Sequence, residues 1–281
     1  MSEESILASI LEASARHPMV SLGEGRGYRN GTAGFRTSAD LLDGPVFRLG
    51  LFAGIRSRKL NGQTIGIMIT ASHNPPKDNG AKVVDPMGEM LEAEYEAYAT
   101  HLVNAKSDQD LVNIYKAMCE KLHVDMTAPA SVVYARDTRP SGHTLVASLA
   151  DACKASNTDG VDYKILTTPQ LHYITRCLNT ALTPLAYGEP TEQGYYDKLA
   201  LAFGDAMKGR RVNGPLYVDC ANGVGGPKMR ELLRYLPSDR TGLDIRIIND
   251  DVLRPEALNC DVSYFFCSAC KPDGQTVRHS V

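Results

Sequence analysis

The chain has 281 residues, 43% of them hydrophobic and 22% charged, with a formal net charge of −3. That length suits about two domains at roughly 100–200 residues each, and the composition is that of a chain able to bury a sizeable core. A slightly acidic balance gives no pull toward nucleic acid or an anionic membrane, so a small anionic ligand must be met by individual basic side chains.

The opening Met1-Ser2-Glu3-Glu4 is acidic, and the apolar run from Ile6 to Leu11 is broken by polar residues, which is unlike a secretory or transit leader. No apolar run approaches the ~18 residues that a membrane span needs. The 7 cysteines (119, 153, 177, 220, 260, 267 and 270) are scattered and odd in number. They read as reduced thiols of a cytoplasmic protein, mostly buried.

Residues 3–16 read as an amphipathic helix, followed by a glycine-rich loop from Gly23 to Gly34. A helix is expected over 46–59, with Phe47, Leu51 and Ile55 on one face and Arg56, Arg58 and Lys59 complementing the dipole at its end. The β-branched run Thr64 to Thr70 predicts a buried strand. Residues 89–123 read as helical, with a break near Ser107-Asp108. Further strands are expected at Ser131 to Ala135 and Tyr163 to Leu166, with a helix between them through Ala152. Residues 180–193, rich in Thr, Pro and Gly, form the best linker. Beyond them come a helix at 192–208, a strand from Leu216 to Cys220, a helix at 227–235 and a strand from Ile245 to Asn249. Gly223 and Gly226 read as a tight strand-to-helix turn. Strands alternating with helices predict an α/β fold with a mixed or parallel sheet.

The segment richest in chemistry is Thr70-Ala71-Ser72-His73-Asn74-Pro75-Pro76-Lys77-Asp78-Asn79-Gly80-Ala81-Lys82. A strand runs into a loop with adjacent Ser72 and His73, and Asn74-Pro75 enforces a turn. A second turn is expected at Asn79-Gly80, doubling the chain back so that the charge of Lys82 comes near Ser72. Gly31-Thr32-Ala33-Gly34-Phe35-Arg36 adds another basic group, and its glycines let backbone N–H groups approach a phosphate. Locally, each segment is equally consistent with a plain polar loop carrying an exposed serine or arginine.

Together these segments resemble the α-D-phosphohexomutase superfamily, whose serine loop looks like Thr70 to Pro75 and whose arginine loop looks like Gly31 to Thr37. The likeness extends through Asp78 to Leu91, Arg136-Asp137-Thr138-Arg139-Pro140, Leu166 to Tyr173 and Val218 to Gly223. It is strongest for the eukaryotic branch acting on N-acetylglucosamine phosphates. The resemblance implies a three-layer α/β/α domain over residues 1–180 and an incomplete second α/β domain over 181–259. Residues 260–281 then form an aberrant, disordered tail.

The resemblance also implies an isomerase that interconverts N-acetylglucosamine 6-phosphate and 1-phosphate for UDP-N-acetylglucosamine synthesis. Ser72 would be the phosphoserine carrying the phosphoryl group. Arg36 would assist proton removal at the reacting hydroxyl, and His73 and Lys82 would serve acid–base and phosphate-neutralising roles. Thr32, Gly34, Arg36 and Lys82 would hold phosphate. Implied cofactors are Mg²⁺, with Ser72 as a ligand through its phosphate, and glucose 1,6-bisphosphate or N-acetylglucosamine 1,6-bisphosphate as primer. The partner is a small phosphosugar, with no nucleic acid and no membrane. Rival readings are a phosphoglucomutase or phosphomannomutase acting on another hexose phosphate, and a non-catalytic product.

The pattern departs from the superfamily in one chemical respect: the D-G-D-x-D loop that supplies its three metal-binding carboxylates does not occur. This chain is therefore expected to be inactive alone. Cys267 and Cys270 have C-x-x-C spacing, and with Cys260 and His279 they read as a chance grouping, not a zinc site. His172 reads as a structural histidine, and Asp137 and Arg139 as a structural pair at a strand end.

Overall fold

A computed structural model describes residues 1–23, 25–31 and 34–260. Thr32 and the stretch 261–281, with its Cys267, Cys270 and His279, lie outside the described residues. The elements in order are α1 (Glu3–Ser14), β1 (Asn30–Gly31), β2 (Gly34–Ser38), α2 (Asp43–Lys59), β3 (Ile65–Ile69), β4 (Asp78–Val84), α3 (Ala93–Val103), α4 (Asp108–Leu122), β5 (Ser131–Arg136), α5 (Gly142–Ala155), β6 (Asp159–Ile165) and α6 (Thr168–Thr180). They continue with α7 (Glu192–Ala206), β7 (Pro215–Asp219), α8 (Gly225–Leu232), α9 (Ser238–Thr241) and β8 (Asp244–Ile248).

β1 to β6 form one mixed sheet in the order β1-β2-β4-β3-β5-β6. β3, β5 and β6 run parallel, while β4 is antiparallel to both β3 and β2. Period-two alternation assigns the sheet's faces. Ile65, Ile67 and Ile69 of β3, with Val132 and Tyr134 of β5, point into a core shared with α1 to α5. Met68, Val133 and Ala135 point the other way, onto Leu171, Ile174 and Cys177 of α6. The sheet is thus sandwiched between helices, the expected three layers.

Local sequence explains the helix starts. Ser2 caps α1 by accepting from the Ser5 N–H, and Ser107 caps α4 by accepting from the Asp110 N–H. Thr167 and Gln170 form a capping box at the head of α6. The helical stretch expected from residue 89 begins only at Ala93. Asp85 takes a two-pronged ion pair from Arg56 (3.0 and 2.7 Å) and accepts from the Glu92 N–H, winding residues 85–92 into a turn. Arg56 therefore serves this buried pair, not only the helix dipole. Arg58 likewise donates to the carbonyls of Ala128, Ser156 and Asn157.

The expected turn at Asn79-Gly80 is a strand instead. Thr37 pairs with Asn79 and Arg36 with Gly80, and Asn79 Nδ2 donates to Ser141 Oγ. A central place between β2 and β3 overrides the local turn preference. The chain reverses over residues 70–77.

The chain divides into two compact units, one of residues 1–72 with 77–195, the other of 73–76 with residue 196 onward. The division falls inside α7, beyond the Thr/Pro/Gly-rich stretch. The reason is aromatic packing: Tyr173 of α6 meets Tyr187 and Tyr195 with ring centroids 5.7 and 5.5 Å apart. The second unit contains a two-stranded parallel sheet, β7 beside β8, with α8 and α9. Within it Tyr196 packs on Tyr235, and Asn259 Nδ2 donates to the Asn74 carbonyl at 2.9 Å.

Candidate active site

The carboxyl ends of β3 and β5 carry the loops with the most chemistry, as is general for parallel strands in α/β sheets. Ser72 is exposed three residues past the end of β3, with φ of 53°, the left-handed region that few side-chain-bearing residues adopt. Its backbone is held at both ends. The Ser72 N–H donates to Thr70 Oγ1 at 3.2 Å, and the Ser72 carbonyl accepts from Arg139 Nη2 at 3.1 Å. Thr70 Oγ1 in turn donates to Asp137 Oδ2 at 2.8 Å. Arg139 Nη1 pairs with the same carboxylate, while the Arg139 N–H donates to Oδ1 at 2.9 Å. Asp137 and Arg139 are thus the ion pair expected at the strand end, and both are buried. Their link to Thr70 and to the Ser72 carbonyl was not foreseen.

Arg36 and Lys82 reach the same side of the sheet. Phe35, Ala81 and Val83 face the core beneath α1 to α5. Alternation therefore turns Arg36, Gly80 and Lys82 toward the α6 side. Arg36 pairs with Gly80, and Lys82, two residues on, pairs with Met68. The two basic positions are diagonal neighbours, about 7–8 Å apart. Among the described residues the Lys82 ammonium makes no hydrogen bond or ion pair. The Thr70 N–H donates to the Gly80 carbonyl at 3.0 Å, so the strand leading to Ser72 lies beside the residue opposite Arg36.

Two glycines make this approach possible. A side chain at Gly80 would stand 2.7 Å from the Phe35 carbonyl and 2.9 Å from that of Thr70. Gly34, at φ of 76°, would press on the Ala81 carbonyl and the Lys82 Cα. Gly34 thus has a packing reason to be glycine, beside any phosphate contact. His73 follows Ser72 directly and is exposed. His172 lies on α6, where Nδ1 donates to the Gly88 carbonyl at 2.8 Å. Burial holds its pKa below the ordinary histidine value against the bond to Gly88, which raises it, and the Lys82 charge adds to the lowering.

The described residues contain no group of three or more His, Cys, Asp or Glu able to hold a metal ion. No described helix is long and apolar enough to cross a membrane.

Residues 53–110 and 101–183 match the family described as phosphoglucomutase/phosphomannomutase, alpha/beta/alpha domain I. A phosphoacetylglucosamine mutase of Sus scrofa is 46% identical over 248 residues, covering 87% of this chain and 44% of that protein. The Aspergillus fumigatus N-acetylphosphoglucosamine mutase, in complex with glucose 1,6-bisphosphate, superposes with a TM-score of 0.88 at 53% identity, covering 92% of this chain and 47% of its own. Over most of its length the chain is similar to members of the α-D-phosphohexomutase superfamily. It spans less than half the length of these relatives. The Aspergillus fumigatus superfamily member has also been crystallised with GlcNAc-6P and magnesium, and that structure superposes with a TM-score of 0.84.

Proposed function

We propose that this chain is the phosphoserine-bearing part of a mutase that interconverts N-acetylglucosamine 6-phosphate and N-acetylglucosamine 1-phosphate. The observation that carries the reading is Ser72, exposed and backbone-clamped at the end of β3, beside a sheet face bearing Arg36 and Lys82. The relatives' names supply the sugar.

Phosphoryl transfer asks mainly for positioning and for neutralisation of spreading charge. In the first half-reaction the sugar's 1-hydroxyl oxygen attacks the phosphorus on Ser72. The P–Oγ bond breaks and a P–O1 bond forms. The hydroxyl proton leaves with assistance from Arg36 and passes through His73 to the departing seryl oxygen. The bisphosphate then presents its 6-phosphate, and Ser72 Oγ attacks that phosphorus, releasing the 6-hydroxyl and restoring phosphoserine. No water is consumed. Lys82 balances the phosphoryl charge, and the loop residues Thr32 and Gly34 are assigned to phosphate binding by the likeness of their motif to the superfamily's. A hexose 1,6-bisphosphate first loads Ser72.

Magnesium is present in the Aspergillus fumigatus complex. The described residues here do not complete a cation site, so no step above runs through one. What this chain offers such an ion is the phosphoryl oxygens on Ser72.

The test joins residues 1–259 to the remaining portion of the Aspergillus fumigatus relative and measures conversion of N-acetylglucosamine 6-phosphate. Turnover that exceeds conversion of glucose and mannose phosphates supports the reading. A preference for either of those sugars contradicts it, and would favour the broader name borne by the matching family.

A further inference from the structure

We propose that Thr70, Asp137 and Arg139 are positioning residues that hold the Ser72 backbone in its left-handed conformation and so set the rate of phosphoryl transfer without binding the sugar. The inference rests on Ser72 being the phosphoryl carrier. A non-glycine residue at φ of 53° persists only where its surroundings over-determine it. Here two backbone groups of one residue are held from two directions. Thr70 Oγ1 accepts from the Ser72 N–H, and Arg139 Nη2 donates to the Ser72 carbonyl.

Both anchors converge on one carboxylate. Asp137 accepts from the Thr70 hydroxyl and from Arg139, and its own N–H donates to the Ile69 carbonyl at 3.0 Å, tying the ensemble to the end of β3. The Thr70 hydroxyl acts as acceptor and donor at once, so its proton is committed to Asp137 and its lone pair to Ser72. Arg139 is 2% exposed and Asp137 4% exposed, so the pair sits in a medium where charge-assisted bonds are strong and rigid. An ion pair serving only to close β5 would have no need to reach the carbonyl of a serine 67 residues away.

The consequence is directional. With N–H and C=O fixed, the Cα–Cβ bond of Ser72 points one way, and the ordering of the nucleophile precedes substrate binding. Arg139 could not be replaced by lysine here. A single ammonium lacks the planar fork that spans the Asp137 carboxylate and the Ser72 carbonyl together.

The experiment uses residues 1–259 joined to the remaining portion of the Aspergillus fumigatus relative, as wild type, Thr70→Val, Thr70→Ser and Arg139→Lys. Two quantities are followed: amide hydrogen exchange at Ser72, and Ser72 phosphorylation by glucose 1,6-bisphosphate, read by intact mass against bisphosphate concentration. Thr70→Val keeps the side chain's shape and should fold. It should speed Ser72 exchange and lower the maximal phosphorylation rate about tenfold or more, with half-saturation within about twofold, while Ile67 and Val133 amides stay protected. Thr70→Ser should restore both, and Arg139→Lys should resemble Thr70→Val. Unchanged exchange in Thr70→Val overturns the proposal, as does a loss expressed in half-saturation alone or one that Thr70→Ser fails to rescue. If wild type takes up no phosphate, the functional reading fails, and the exchange data alone decide the clamp.

Discussion

At the scale of single residues, the account places different demands on Arg36 and Lys82, although they are diagonal neighbours on one sheet face. Arg36→Ala in the joined protein should lower kcat by about 100-fold with KM changed much less, because its proposed role is at the reacting hydroxyl. Lys82→Ala should instead weaken phosphate binding as well as turnover, with melting temperature preserved, since the Lys82 ammonium makes no hydrogen bond or ion pair among the described residues. Steady-state kinetics on both variants check this, and wild-type behaviour in both would remove the basic face from the mechanism. The residues of this face were legible in the sequence because each lies in a compact motif. The clamp behind Ser72 was half legible. Asp137 and Arg139 could be paired from their spacing, but Thr70 meets Asp137 across 67 residues, a separation that no local pattern reports.

At the scale of elements, Gly80 shows why one strand escaped the sequence reading. Asn-Gly is a strong local turn signal. Yet Gly80 is there because β2 and the end of β3 come too close for a side chain, 2.7 and 2.9 Å from two carbonyl oxygens. Gly80→Ala should therefore destabilise the domain by about 1–3 kcal/mol by overpacking, measurable by thermal or urea denaturation. A variant as stable as wild type would show that β4 shifts freely. α6 begins at a capping box of Thr167 and Gln170 with a proline in its first turn, a start signal that lies in the sequence itself.

A second element-level device joins the end of α1 to α2 and α5. His17 is stacked on Phe47 and bonded to Asp43 through Nδ1 at 3.1 Å and to Asp151 through Nε2 at 3.2 Å, while Arg16 also pairs with Asp151. The bond to Asp43 raises the His17 pKa, burial opposes it, and Asp151 adds to the rise. For Asp43 and Asp151 burial pushes upward but is outweighed, at Asp43 by His17 and Ser148 and at Asp151 by His17 and Arg16, so both carboxyls sit below their ordinary value. The histidine's contribution is complete below its unfolded pKa of about 6.5 and is lost as pH rises through the raised folded value. The carboxylates' contribution is present above about 3.9 and is lost as pH falls through their depressed values. His17→Gln should thus cost about 1.5–3 kcal/mol near pH 5.5. The deficit should shrink toward pH 8.5 in paired melts of variant and wild type, and a pH-independent difference would contradict the assignment.

At the scale of the whole molecule, the two compact units differ in kind. The first encloses a six-stranded sheet between helices, and its layers followed from alternating strands and helices in the sequence. Among the described residues the second holds two parallel strands and leaves Leu201, Leu216 and Leu253 exposed. A two-stranded sheet is marginal by itself. Limited proteolysis should therefore cut first beyond Tyr195, leaving a core that retains the Tyr173–Tyr187–Tyr195 packing. Early cleavage within residues 131–180 would contradict that order. The Thr/Pro/Gly-rich stretch carries a linker signal in sequence, while the aromatic packing of Tyr173 with Tyr187 and Tyr195 binds it to the first unit.

The central claim is that Ser72 carries the phosphoryl group. Incubating the protein joined to its relative's remaining portion with glucose 1,6-bisphosphate, followed by phosphopeptide mapping, tests it most directly. The account predicts one phosphate, on the peptide containing Ser72, absent in Ser72→Ala together with nearly all turnover. Phosphate on another residue, or turnover retained by Ser72→Ala, would contradict it.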